Sequence, residues 1–192
     1  MDLKEYIMKI RNDYVSNSSS SSFIVIAKKG NDETNMIMSK HSDDWMAYQI
    51  PNEDGHHEFG WEFRNYSSFA DKMNFIGIQL LELKIMAAEG ARPSYKKNPI
   101  EEFERCYGML QKVCKEKFNL LVVLNDEIIS ARIFKDVDGT YKSYIHLNDN
   151  YYIDHQSCVI EGECMEMFES EETLYDFLRF EESYIEGGND NG

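Results

Sequence analysis

Six side chains of types that do chemistry fall in two short stretches: Trp61, Glu62, Asp71 and Lys72 in the first, and Asp154 and His155 in the second. A histidine with a carboxylate is the minimum for general-base work, so His155 acting with Asp71 or Glu62 would form such a pair if the fold joins the two stretches. Asp154 and His155 cannot serve each other, because neighbouring side chains of a strand point to opposite faces. The simpler reading, and the preferred one, gives these polar groups to backbone atoms at a strand end.

Other constellations are weaker. His56 and His57 stand beside Asp54 and Glu58, a composition able to chelate a divalent ion, yet adjacent loop histidines usually bind nothing. Asp136-x-Asp138-Gly139 has two oxygen ligands of a calcium loop but lacks the third and the distal glutamate. The serine run from Ser16 to Ser22 has hydroxyls and amides for an anion, without the glycines, lysine and following helix of a phosphate loop. No Gly-x-Ser-x-Gly turn is present. Cys106 and Cys114 fall on an apolar helical stripe and read as packing residues, while Cys158 and Cys164 stand in acidic surroundings that raise a thiol pKa. Neither a metal nor a cofactor is therefore expected.

The elements that must position these groups follow from periodicity. Leu3, Ile7 and Ile10 predict a short amphipathic helix over 2–11, and Phe23 to Ala27 a β-branched strand. Trp45 to Ile50 and the alternating Phe59, Trp61 and Phe63 predict two strands, joined as a hairpin through Pro51 to Gly55. Ser67 or Ser68 caps a long helix whose stripe Phe69, Met73, Ile76, Leu80, Leu83 and Ala87 has a second apolar face in Phe75, Ile78, Leu81 and Ile85, so it is buried on most sides. Asn98-Pro99 starts a second helix over 99–117, with Ile100, Phe103, Tyr107, Leu110 and Cys114 inward. Leu120 to Leu124 is a strand, and Asp138-Gly139 joins Ile128 to Phe134 with Tyr141 to Leu147 as a hairpin. Tyr151 to Ile153 begins another strand. Ser170 caps a last helix that turns Leu174, Phe177 and Leu178 inward. The class is α+β: a mainly antiparallel sheet carrying two consecutive central helices and a C-terminal helix, as one domain over 1–185 with a frayed tail over 186–192.

A chain of 192 residues that is 42% hydrophobic can bury a substantial core, and none of its apolar runs reaches the ~20 residues of a membrane span. The net charge of -15 is concentrated at the end: eleven acidic residues and one basic residue follow Val159 and Ile160. Such a surface repels phosphate backbones, which argues against direct nucleic-acid binding, and it suits either a basic protein partner or solubility alone. With no charged-then-apolar leader, the chain is expected to remain in a reducing cytosol with free thiols.

The stretch IRNDYVSNSSSSSFIV, Ile10 to Val25, runs a serine tract straight into an apolar strand. Ser16, Asn17, Ser18, Ser19, Ser20, Ser21, Ser22 and Phe23 in this setting resemble an N-terminal motif of uncharacterised proteins of tailed bacteriophages and related mobile elements. Phe59 to Phe75, Ile153 to Ser157 and Gly188 to Asn191 are similar to weaker companions of that motif. The resemblance implies a phage-encoded protein in the host cytoplasm or in the particle, and it implies no activity.

The expected function is thus protein-protein contact without catalysis, on a host factor or as a small component of the particle. Glu169, Glu171, Glu172, Asp176 and Glu182 are the expected interaction surface. The alternative is an enzyme or small-ligand protein whose site is built from the Trp61 to Asn74 and Asp154 to Ser157 segments.

Overall fold

The computed structural model describes residues 7–9, 20–27, 47–60, 64–89, 97–153 and 165–189, with the backbone course alone for 7–9, 20–27, 188 and 189. Its centre is helix α1, Phe69–Glu89, which is the longest element and buries residues on every side, from Lys72 to Met86. Two apolar faces on one helix require neighbours all round. Helices α2 (Pro99–Val113) and α3 (Glu171–Arg179) and strands β3 (Ala47–Ile50), β8 (Tyr141–Leu147) and β9 (Tyr152–Ile153) supply them.

Local signals set the helix ends. Ser68 Oγ accepts the Asp71 amide at 3.1 Å, Asn98 Oδ1 accepts the Ile100 amide at 3.1 Å, and Ser170 Oγ accepts the Thr173 amide at 3.0 Å. Each cap satisfies a donor that the first turn leaves without a helical partner. α2 widens into a π turn over Cys114–Phe118 and stops at Asn119, whose φ of 56° reverses the chain. The inner face of α2 is Glu102, Cys106, Leu110 and Val113, so the expected stripe is rotated. Ile100 is half exposed, while Glu102 is buried and its carboxylate accepts from Arg105 and Lys97.

The class is α+β, but the expected mainly antiparallel sheet is not found. Four small sheets of mixed direction stand among the described residues. The largest is antiparallel, in the order β1 (Ile7–Lys9), β2 (Ser20–Ala27), β10 (Tyr184–Asn189), β5 (Arg64–Tyr66). β3 pairs in parallel with β6 (Leu121–Leu124), and β4 (Glu58–Phe59) pairs in parallel with β9. β7 (Ile129–Lys135) and β8 make an antiparallel hairpin of their own.

Three further expectations are corrected. Ile7 to Lys9 is strand rather than helix, since pairing with Val25 to Ala27 overrides a weak local preference. Of the expected aromatic strand, Glu58 and Phe59 pair with β9 and not with β3, which is paired with β6, while the Pro51–Gly55 turn is bound to α1; Trp61 and Phe63 lie outside the described residues. The expected frayed tail begins as a strand: Glu186 to Asn189 lies in β10, paired with Phe23 to Ser20. Ser20 to Ser22 of the serine tract is therefore ladder, whereas Ser16 to Ser19 lies outside the described residues.

Candidate functional site

The acid-base set is only partly within the described residues, since Trp61, Glu62, Asp154 and His155 lie outside them. Asp71 and Lys72 occupy the first turn of α1 and serve the fold. Asp71 Oδ1 accepts the His56 amide at 2.8 Å. Asn74, one turn on, accepts the Asn52 amide at 2.9 Å and donates to the Asn52 and His56 carbonyls at 2.8 and 3.2 Å. Together they pin the Pro51–Gly55 turn to α1.

Lys72 is 1% exposed and donates from Nζ to the Phe180 carbonyl at 2.6 Å. That carbonyl stands just past α3, at the negative end of the helix dipole. Burial pushes the lysine pKa down to about 7, against the opposing pull of Glu181, Glu182 and Asp71. A lysine so enclosed cannot touch a substrate without the core opening. The paired histidines are also structural. His56 stacks on Tyr66 with ring centroids 4.8 Å apart, and the His57 ring lies 2.5 Å from the Asn52 carbonyl. Burial raises both Cys106 and Cys114 to about 12, which removes them as nucleophiles, while Cys158 and Cys164 lie outside the described residues. Among the described residues no group of three histidine, cysteine or carboxylate side chains is arranged to hold a metal ion. Nor is any helix among them long and apolar enough to cross a membrane.

Among the described residues the acidic end is built around α3, while Glu161, Glu163 and Asp190 lie outside them. α3 buries Leu174, Phe177 and Leu178, which leaves Glu169, Glu171, Glu172 and Glu182 exposed, with Glu181 beside them. Two of the five expected carboxylates are partly neutralised. Glu171 takes Lys112 Nζ of α2 at 2.7 Å, and Asp176 is partly buried 3.3 Å from Arg179. Burial raises the pKa of Asp176 and Glu172 reinforces the shift, while Arg179 opposes it.

The β7–β8 hairpin is the surface that the sequence reading missed. The hairpin forms where Asp-Gly predicts, but through a longer loop over Asp136 to Thr140 in which Gly139 has the positive φ, 87°, and Asp138 does not; the Gly139 amide bonds the Asp136 carbonyl at 2.9 Å and the Asp136 amide the Thr140 carbonyl at 2.8 Å. The Asp138 carboxylate is taken by the Thr140 amide and hydroxyl, and Asp136 by the Val137 amide and Lys142, so both aspartates are engaged in building the turn. At the other end Ile129, Ile145 and Leu147 join the core, and Glu89 at the end of α1 accepts the Ile145 amide. Between these ends the ribbon extends from the body. Ile133 is 74% exposed and Tyr141 is 75% exposed, and Val137 at the tip is fully exposed.

The register sorts these side chains. Ile129, Ala131, Ile133 and Lys135 share one face with Leu147, Ile145, Ser143 and Tyr141, so the exposed apolar residues continue a face that begins in the core. Ser130, Arg132 and Phe134 share the other with His146, Tyr144 and Lys142. The signal was present in the adjacent Ile133 and Phe134. Consecutive apolar residues load both faces of a strand, and a two-stranded ribbon reaching out from the body cannot bury both.

Comparison with protein families, with curated proteins and with solved structures found no match to the chain.

Proposed function

We propose that the protein acts by protein-protein contact, with the projecting hairpin as its apolar anchor and the acidic face of α3 steering a basic partner toward it. The observation that carries this reading is the exposure of Ile133, Val137 and Tyr141 on an element that extends from the body. Exposed apolar side chains gathered on one surface element mark an interaction site, whereas scattered ones do not. The carboxylates Glu169, Glu172 and Glu182 supply long-range attraction, which raises the rate of encounter more than it raises affinity. Of the residues of the alternative site, Lys72 and Asp71 are engaged within the fold, on the Phe180 carbonyl and the His56 amide.

Phage origin belongs to the same proposal and rests on the Ile10 to Val25 motif. The partner is then a host-cell protein or a neighbour in the particle. Affinity capture from bacterial lysate at low and at high salt, together with a protein inventory of purified particles, tests this. The reading expects either a captured protein that salt releases or the chain itself in the particle. Failure of both arms contradicts it.

A further inference from the structure

The two outer edges of the hairpin are covered unequally. The Asp136 amide donates to the Thr140 carbonyl and the Asn148 amide to the Ile128 carbonyl, both at 2.8 Å, which fixes the phase of the ladder between them. Bonded and non-bonded pairs alternate along an antiparallel ladder, so Ser130, Arg132 and Phe134 bond β8, while Ile129, Ala131, Ile133 and Lys135 point their N–H and C=O groups away from it. The same alternation turns the Ile145 amide outward from β8, and there Glu89 of α1 accepts it. On β7 the Ile129 amide donates to the Asp126 carbonyl. The outward backbone groups of Ala131, Ile133 and Lys135 have no partner among the described residues, and β8 is the only strand that β7 pairs with there.

An unpaired edge is a template for another strand, and proteins blunt it with proline, bulges or charges. β7 runs in unbroken register without proline or bulge and is exposed from Ala131 to Lys135. A second β7 lying antiparallel fits this edge. With the two-fold axis at Ile133, Ile133 meets Ile133 of the second copy, Ala131 meets Lys135 and Lys135 meets Ala131, so all three residues find partners among themselves. A shift of two residues either way brings in Ile129, whose amide is taken, or Val137, which belongs to the turn. On the other face Arg132 falls opposite Phe134, and no two like charges stand directly opposed. Charge also permits the approach. Arg132, Lys135 and Lys142 outnumber Asp136 and Asp138 in the hairpin of a chain whose net charge is -15, so this element is not part of the surface that repels a second copy.

We propose that two copies of the chain join β7 to β7 in antiparallel register about Ile133, forming a dimer with a four-stranded sheet in the order β8-β7-β7-β8. The inference rests on the reading of the hairpin as an interaction element and names its first occupant. The contact is isologous, so it closes at two copies. The outer edges of the joined sheet are those of β8, where Glu89 already holds Ile145. Directly opposed residues share a face, so Ile133 and Tyr141 of both copies stand on one side of the sheet, where they double the apolar surface offered to a further protein.

Sedimentation equilibrium of the purified full chain, from about 1 to about 200 μM, should show the mass rising from 22.5 kDa toward twice that value, with a dissociation constant at or below about 100 μM. Ile133→Lys and Ile133→Glu should each weaken association at least about tenfold. Mixed in equal amounts they should associate at least about tenfold more tightly than either alone, because the two-fold register sets position 133 against itself. Salt should tighten the dimer by screening the repulsion between two acidic chains, whereas it releases a basic partner. The measurement uses the chain alone, so its failure and the failure of the partner reading are told apart. A chain that stays monomeric at about 200 μM in about 0.15 M salt overturns the proposal. So do growth past two copies, association that survives both variants, or a mixture no tighter than its components. Amides of β7 that become protected from exchange only when a captured protein is present would assign the edge to a strand of that protein, and overturn it as well.

Discussion

Lys72 on α1 and Phe180 just past α3 are 108 positions apart in the chain, and a 2.6 Å bond from Nζ to the carbonyl oxygen joins them in the interior. A buried cation held by a helix-end carbonyl costs desolvation whenever it is charged. Its consequence is a pH dependence of stability. The pKa is about 7 in the fold against 10.5 for an ordinary lysine, so between these values the unfolded chain binds more protons than the folded one. Stability attributable to Lys72 therefore rises with pH through this window, with a slope of at most about 1.4 kcal/mol per unit, and is flat below it. Denaturant unfolding between about pH 6 and about pH 9 should show this slope in the parent and its loss in Lys72→Met. Equal slopes in the two proteins would contradict the assignment.

Two helix glycines should respond to alanine with opposite signs. A Cβ on Gly77 of α1 would stand 2.9 Å from the Pro51 nitrogen and 3.0 Å from the Ile50 carbonyl carbon, both backbone atoms, whereas one on Gly108 of α2 would meet nothing within 4 Å. Gly108→Ala should stabilise by up to about 1 kcal/mol through helix propensity. Gly77→Ala gains the same propensity but forces α1 away from the turn, and should destabilise by about 1–3 kcal/mol. Thermal unfolding of both variants decides it, and a stabilised Gly77→Ala would show that the turn yields.

Helices α1, α2 and α3 were legible because their signals are local, whereas the helix expected over 2–11 is strand at Ile7–Lys9. Ser68, Asn98 and Ser170 cap where their types predict, and the double stripe of α1 implies burial on all sides. Strand partners were not legible, because a strand's own pattern does not name its neighbour. β3 and β4 take parallel partners from far along the chain, and the Gly187-Gly188-Asn189 end of β10 has the composition of a tail yet pairs with the serines of β2. Of the candidate sites, the acidic face of α3 could be read from three inward apolar residues. The core position of Lys72 could not, since a lysine on the first turn of a helix ordinarily points to water.

Charge on α3 should act on encounter rather than on the fold. Replacing Glu169, Glu172 and Glu182 together by glutamine should change stability by less than about 0.5 kcal/mol, as exposed carboxylates do. It should also slow association with the captured partner at low salt. The difference should fade as the screening length shrinks toward about 8 Å at physiological ionic strength. Asp176→Asn is different in kind, because Asp176 is partly buried against Arg179, and it should alter unfolding more than association. Rapid-mixing association rates across a salt series, with unfolding curves for the same variants, separate the two effects. A triple glutamine variant that associates like the parent at every salt concentration would leave the acidic face with no part in binding.

The hairpin gives the central claim its most direct measurement. Ile133 and Tyr141 stand on one face of the ribbon and are about three-quarters exposed at 74% and 75%. Replacing both by serine removes apolar contact area without opening the core. The account predicts that Ile133→Ser with Tyr141→Ser weakens equilibrium binding to the purified partner by at least about tenfold, or 1.4 kcal/mol. Unfolding of the double variant should match the parent within about 0.5 kcal/mol. A double variant that binds as tightly as the parent while remaining folded would contradict it.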